Sequence, residues 1–195
     1  MTADVIDQLV GIQPGDALDT LRDQRPSARA NAQAAFDALL RSDEPTEVDQ
    51  RARLAVAYWT VALSTSPAAA FYRDLLAAED AALLDALEAA LPGALTDGPY
   101  GDYPEGPLTV ENVDGLHWAP QAGLASAAGP RLAAALAHTH LLVYRPRDAS
   151  PDALQHLLDA GWSTTGIVTL SQLVAFLSFQ LRVVAGLTVL KGELA

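Results

Sequence analysis

Seven side chains in this sequence are equipped to exchange protons or to hold an anion: His117, His138, His140, Tyr58, Tyr72, Arg53 and Arg182. A His or Tyr beside an Arg that grips a carboxylate suffices for acid–base work on a small acid. Cysteine is absent, which excludes disulfides, thiolate metal sites and all thiol-based reactions.

His138 and His140 stand in AHTHLL, a helical pattern. Residues two apart on a helix are rotated by about 200°, so the pair cannot hold one metal from a regular helix. One is expected to face the core beside Leu136 or Leu142 and the other the surface. His117 adjoins Trp118 in an irregular stretch containing Pro120. Either the two form a pocket lid, with an imidazole and an indole wall, or Trp118 anchors the loop in a surface groove.

Arg182 lies inside an apolar run, where a guanidinium must find a partner. It either ties that helix to a neighbour or receives an anionic ligand such as a carboxylate. Arg53 has a simpler expectation, an exposed pair with Asp49 one turn earlier. His156 is expected on a solvated face, and Tyr100 and Tyr103 to stack on a ligand or a partner subunit. Asp97, Asp102 and Glu105 lack the rhythm of a calcium loop. No phosphate loop, nucleophile elbow or dinucleotide fingerprint occurs, so neither metal nor other cofactor is expected.

These groups must be carried by helices. The chain has 195 residues, half of them hydrophobic, enough for a sizeable core. Eleven Arg and one Lys against 24 acidic residues leave a formal charge of -12, which repels nucleic acid and anionic membranes. The N-terminus is acidic where a signal peptide is basic, so a cytoplasmic protein is expected. No strand-like alternation is sustained, and the fold class is all-α.

Short helices are expected over Asp4–Val10 and Asp16–Arg22, and a clearer one begins at Pro26 and Ser27. The next opens at Thr46 as N-cap, with Leu54, Tyr58, Val61 and Ala62 as its buried face and Glu47 paired to Arg51. It breaks at Ser64 to Pro67, restarts through Phe71 and Leu76, and is followed by a helix from Asp80 to Leu91. Residues 93–128 then read as a long irregular loop, rich in Gly and Pro at first. Helices follow over Arg131–Tyr144 and Pro151–Ala160.

The last segment runs from Gly161 to Leu190. Ser163, Thr164 and Thr165 are each fit to cap it, and its length is about 36 Å at 1.5 Å per residue. Its apolar residues point in every direction, so it is expected to be buried all round, in a core or a subunit interface. Gln172, Gln180 and Arg182 argue against a membrane span, since one Arg near a bilayer centre costs about 3 kcal/mol.

The segment ASPDALQHLLDAGWSTTGIVTLSQLVAFLSFQLRVVAGL resembles the C-terminal part of the alkylhydroperoxidase D and carboxymuconolactone decarboxylase superfamily. In that superfamily a helix, a short "aG(F/W)s" turn and a long helix with a middle like "FNFVNR" follow one another. Phe179 and Arg182 match that middle, while Ser178 and Leu181 replace its asparagines. The resemblance covers roughly residues 28 to 190. Active peroxidases of the superfamily are similar in a Glu followed by C-x-x-C-x-x-x-H. Against that pattern Arg53 falls at the Glu, Thr65 and Ala68 at the two Cys, and Tyr72 at the His. All four depart from it, and Thr65 cannot replace a thiolate.

The resemblance therefore implies an orthogonal helical bundle like alkylhydroperoxidase D, over residues 43–195, preceded by a helical extension at 1–42. It implies the fold without peroxidase chemistry. The function expected is small-molecule binding, or partnership with a thiol-containing paralogue in an oxidative or catabolic pathway. The alternative is a lyase or isomerase, with Tyr72, His138 and His117 as acid–base groups. Arg182, Arg53, Trp118 and Thr65 would then contribute to binding. A homo-oligomer is expected, as a dimer, trimer or hexamer.

Overall fold

A computed structural model describes residues 4–41 and 47–194. Among the described residues the chain forms nine α-helices and no strand, in keeping with the all-α expectation. The first three helices are α1 (Val5–Val10), α2 (Ala17–Asp23) and α3 (Pro26–Leu40). Asp4 caps α1 by accepting from the Asp7 N–H, and Pro26 occupies the first turn of α3. Arg22 bonds Asp4 and Asp7, and Arg29 bonds Asp7, Asp19 and Asp23, which clamps the three helices together.

The helix that is buried on every side is α4 (Gln50–Leu63), in which each residue from Ala52 to Leu63 is buried. Ala52, Ala55, Ala57 and Ala62 let α5, α7 and α9 approach its axis closely. The expected four-residue stripe of Leu54, Tyr58, Val61 and Ala62 is therefore only part of its buried surface. The expected cap Thr46 lies outside the described residues. Asp49 does the capping instead, accepting from the Ala52 N–H at 2.8 Å.

Arg53 is buried, which corrects the exposed pair expected for it. Its Nε donates to the Val48 carbonyl at 2.8 Å, and its Nη1 to Ala38 and Leu39 at 3.1 and 2.9 Å. The last carbonyls of α3 lack partners within their own helix, and the guanidinium supplies them. Arg51 turns away from Glu47 and bonds Asp80 at 2.7 Å and the Ala127 carbonyl, near the end of α6, at 2.9 Å.

The second central element, α5 (Ala69–Ala90), is broken at Asp80, whose φ of -153° is not helical. The carboxylate of Asp80 accepts from the Leu83 N–H and caps the second half, so the two expected helices are present end to end. The stretch expected to be irregular contains α6 (Ala122–Ala128), where the small residues of AGLASAA form two turns. Then come α7 (Pro130–Tyr144), α8 (Pro151–Asp159) and α9 (Thr164–Leu194).

Ser163 caps α9, accepting from the Gly166 N–H at 3.1 Å. The helix packs against α1, α2, α3, α4, α7 and α8 through Ile167, Leu170, Val174, Leu177, Leu181 and Val184. Its opposite side is uncovered in the single chain, so the chain's own core buries α9 on one side only. Arg182 lies on that open side and donates to the Ser178 carbonyl at 2.8 Å, so it is not the interior charge expected from its apolar surroundings. By length and composition, Thr164–Glu193 is also apolar enough to cross a membrane, with a mean hydropathy of 2.0.

Candidate functional site

All four histidines of the chain line one cleft of about 410 Å³ between α7, α8 and the segment that carries His117 and Trp118. The start of α7 is fastened by Arg131, whose guanidinium lies 3.9 Å over the Trp162 ring while its carbonyl accepts from the Trp162 Nε1 at 2.7 Å. From there α7 presents Ala134, Ala137, His138 and Leu141, and α8 supplies Ala153, His156 and Leu157. The Ser150 hydroxyl caps α8 by accepting from the Ala153 N–H at 3.2 Å.

His138 and His140 are both buried, which corrects the expected division between core and surface. They leave α7 on different sides, and a neighbour covers each: Ser171 of α9 meets one and Trp118 the other. The His138 Nε2 lies 3.1 Å from the Ser171 hydroxyl, while its Nδ1 is buried without a hydrogen-bond partner. The His140 Nε2 donates to the Ala94 carbonyl at 2.9 Å, which places the ring proton there and leaves the lone pair on Nδ1. Burial pushes both imidazoles below their ordinary pKa. For His140 the Ala94 carbonyl opposes that effect and the Arg145 charge adds to it. Both rings are therefore neutral at pH 7.

Trp118 packs inward and borders the cleft. Its ring stacks on His140 with centroids 5.2 Å apart and lies against Trp59 at 5.1 Å, so it anchors the loop. It also lines the cleft. His117, beside it, is exposed at the rim, and so is His156.

Arg145 and Asp148, which sequence reasoning missed, form the polar end of the cleft. The Arg145 Nε donates to Asp148 Oδ2 at 2.5 Å and its Nη1 to the Gly115 carbonyl at 2.8 Å. Asp148 also accepts from the Asp102 N–H at 3.0 Å. Burial raises the Asp148 pKa, but the Asp102 amide and the Arg145 and His117 charges outweigh it and hold the group below its usual value. The pair thus contributes a positive and a negative charge that balance. It also fastens two loops to the end of α7. Gly101, at φ 108°, is required in one of them, because a Cβ there would lie 2.5 Å from the Asp148 carboxylate. The signal available in the sequence was the i,i+3 spacing of Arg145 and Asp148 just after the histidine helix.

Two other candidates share a different cleft, of about 800 Å³. There Thr65, at φ 49°, stands with Ser64 and Ser66 at the turn between α4 and α5, opposite Arg182. Tyr72 and Arg53 line neither cleft. Tyr72 is fully buried and donates its hydroxyl to the Gln180 Oε1, joining α5 to α9. Burial raises its phenol well above the ordinary range, and the bond to Gln180 offsets this only in part. Among the described residues, no three of His, Asp and Glu converge to hold a metal ion. Compared with family models, curated proteins and solved structures, the chain matches none of them.

Proposed function

We propose that this protein binds a small molecule in the histidine cleft, as a cysteine-less relative of the alkylhydroperoxidase D and carboxymuconolactone decarboxylase superfamily with its orthogonal helical bundle. The observation that carries the reading is the convergence of two neutral buried imidazoles, an indole and a balanced Arg145–Asp148 pair on one cleft of about 410 Å³. Ligand sites of about 300–1,000 Å³, mostly apolar with a few convergent polar groups, are the common form. A compact unsaturated or aromatic molecule suits this lining better than a polyanion, since Arg145 already has its carboxylate. A lactone or a simple aromatic acid falls in that class. A cytoplasmic location and work beside a thiol-containing paralogue belong to the same proposal.

Thiol peroxidase activity is not part of it. Thr65 and Ala68 stand where the family pattern has cysteines, and Tyr72 is occupied with Gln180. Sustained hydroperoxide turnover with a dithiol donor would overturn that exclusion. One observation favours a lyase or isomerase instead of simple binding: His138 lines the cleft with its Nε2 3.1 Å from the Ser171 hydroxyl and its Nδ1 without a hydrogen-bond partner. A thermal-shift screen against lactones, aromatic acids and hydroperoxides, followed by ring ¹⁵N spectra of the histidines, tests the proposal. A hit that moves the His138 and His140 signals supports binding there, and product formation supports the lyase. A hit that leaves all four histidines unmoved sinks the assignment of the site.

A further inference from the structure

The uncovered side of α9 is a regular seam. Among its exposed positions Val168, Gln172, Ala175, Phe179, Arg182, Gly186 and Val189 follow one another by steps of four and three residues in strict alternation. A period of 3.5 is the spacing at which one helix keeps a single face toward another in a left-handed pair. Val168 is 54% exposed, Phe179 50%, Val189 67% and the adjacent Leu190 44%, an apolar load that a solvated helix face does not carry.

We infer that this face is the twofold contact of a homodimer, with two α9 helices antiparallel and Phe179 on the axis. The order of side chains along the seam is self-complementary under that operation. With Phe179 facing its own copy, Val168 lies opposite Val189 of the second copy, Gln172 opposite Gly186, and Ala175 opposite Arg182, each to within one residue. The two long polar side chains thus meet the two smallest residues of the seam, and the apolar residues meet each other. A parallel pair would instead place Arg182 against Arg182 and Gly186 against Gly186, with two guanidinium groups in contact.

Charge points to the same occupant. A chain with a formal charge of -12 repels its own copy over most of its surface. From Thr164 to Leu190 there is no Asp or Glu, so two copies approach along α9 without opposing carboxylates.

The seam alone supplies about half of the area a stable interface needs. The 31 residues of α9 span about 46 Å, and a strip about 10 Å wide along them offers on the order of 450 Å². Grooves flank the seam on both sides, one containing Leu21, Val183 and Leu187 and the other Ser178 and Ala185. Together they bring the face toward the roughly 800 Å² per partner of a stable interface.

The absence of cysteine makes the test direct, because every thiol introduced is the only one in its chain. Antiparallel helices 8–10 Å apart bring residues on the twofold within disulfide reach. Under mild oxidation Phe179→Cys should therefore cross-link to its own copy in high yield. Val168→Cys mixed with Val189→Cys should give the mixed dimer, while neither variant links to itself. Val110→Cys, at an 88% exposed position far along the chain from α9, serves as the control and should stay single. Light scattering of the unaltered chain should give an even multiple of the 20.5 kDa of one chain, and Phe179→Glu should lower it with the helical circular dichroism unchanged.

A single-chain mass up to about 100 μM, a trimer, or Val168→Cys linking to itself would each overturn the inference. So would co-flotation of the unaltered chain with neutral phosphatidylcholine vesicles, which would assign the seam to a bilayer.

Discussion

Replacing Tyr72 with Phe isolates the question of whether its phenol is a proton donor or a structural tie. Its hydroxyl is buried and donates to the Gln180 Oε1, and the Gln180 Nε2 is itself buried without a partner. Tyr72→Phe therefore strands the whole amide. A buried polar group deprived of its partner costs about 1–3 kcal/mol. At about 2 kcal/mol this is a fall of roughly 4–8 °C in Tm for a chain of this size. Gln180→Met strands the phenol but also removes the unmet Nε2, so its cost should be smaller. Tyr72→Phe with Gln180→Met removes every unsatisfied group in a shape-conserving way and should lie near the unaltered protein. The coupling expected in the double-mutant cycle is the sum of the two single costs, about 2–3 kcal/mol. Urea unfolding at constant m reads all four corners. Additivity to within about 0.5 kcal/mol, or a Tyr72→Phe protein of unchanged stability, would refute the reasoning. Loss of ligand turnover at unchanged stability would restore Tyr72 as an acid.

Further predictions concern the cleft and the helix ends. His138 and His140 have folded-state pKa values below the 6.5 of an exposed imidazole, so the unfolded chain binds more protons in acid. Their contribution is complete above about pH 7 and is lost as the pH falls below 6.5, by up to about 1.4 kcal/mol per pH unit for each ring. Urea midpoints at pH 7.5, 6.5 and 5.5 should fall accordingly, and His138→Leu should flatten the slope. Arg53→Met, which removes the bonds that Arg53 gives to the Ala38, Leu39 and Val48 carbonyls, should cost about 2–3 kcal/mol by the same measurement. Asp80→Ala removes the cap in the middle of α5 and the partner of Arg51. It should cost about 1–2 kcal/mol and raise amide exchange in the half of α5 after the break.

Helix positions were legible in the sequence because their punctuation is local. Pro26, Asp80, Ser150 and Ser163 each sit where a proline removes, or a side-chain oxygen satisfies, an unpaired amide at a helix start, and each marks a start in the structure. The cleft was half legible for a related reason. His117, Trp118 and His138 could be named from residue type, but their meeting with Arg145 and Asp148 depends on where the loop from 94 to 121 passes, and no local signal states that.

Phase around the helix axis is what composition concealed. In α4 the alanines make an ordinary-looking segment, yet they are what lets three helices close on it, so burial on all sides follows from small size and not from hydropathy. In α9 the hydropathy is higher and the burial lower, since Val168, Phe179, Val189 and Leu190 face away from the chain.

The two arginines show the same inversion. Arg53, in a helix that opens with charged residues, is buried because the end of α3 brings carbonyls that a guanidinium satisfies. Arg51 does this for the end of α6 and Lys191 for the end of α1, where it bonds the carbonyls of Val10 and Gly11. Of these three cations Arg53 is buried, while Arg51 and Lys191 stay half-exposed at the helix ends they serve. Arg182 meets no such end and points outward, which leaves it as the polar member of the α9 seam, facing the alanine that a second copy would bring.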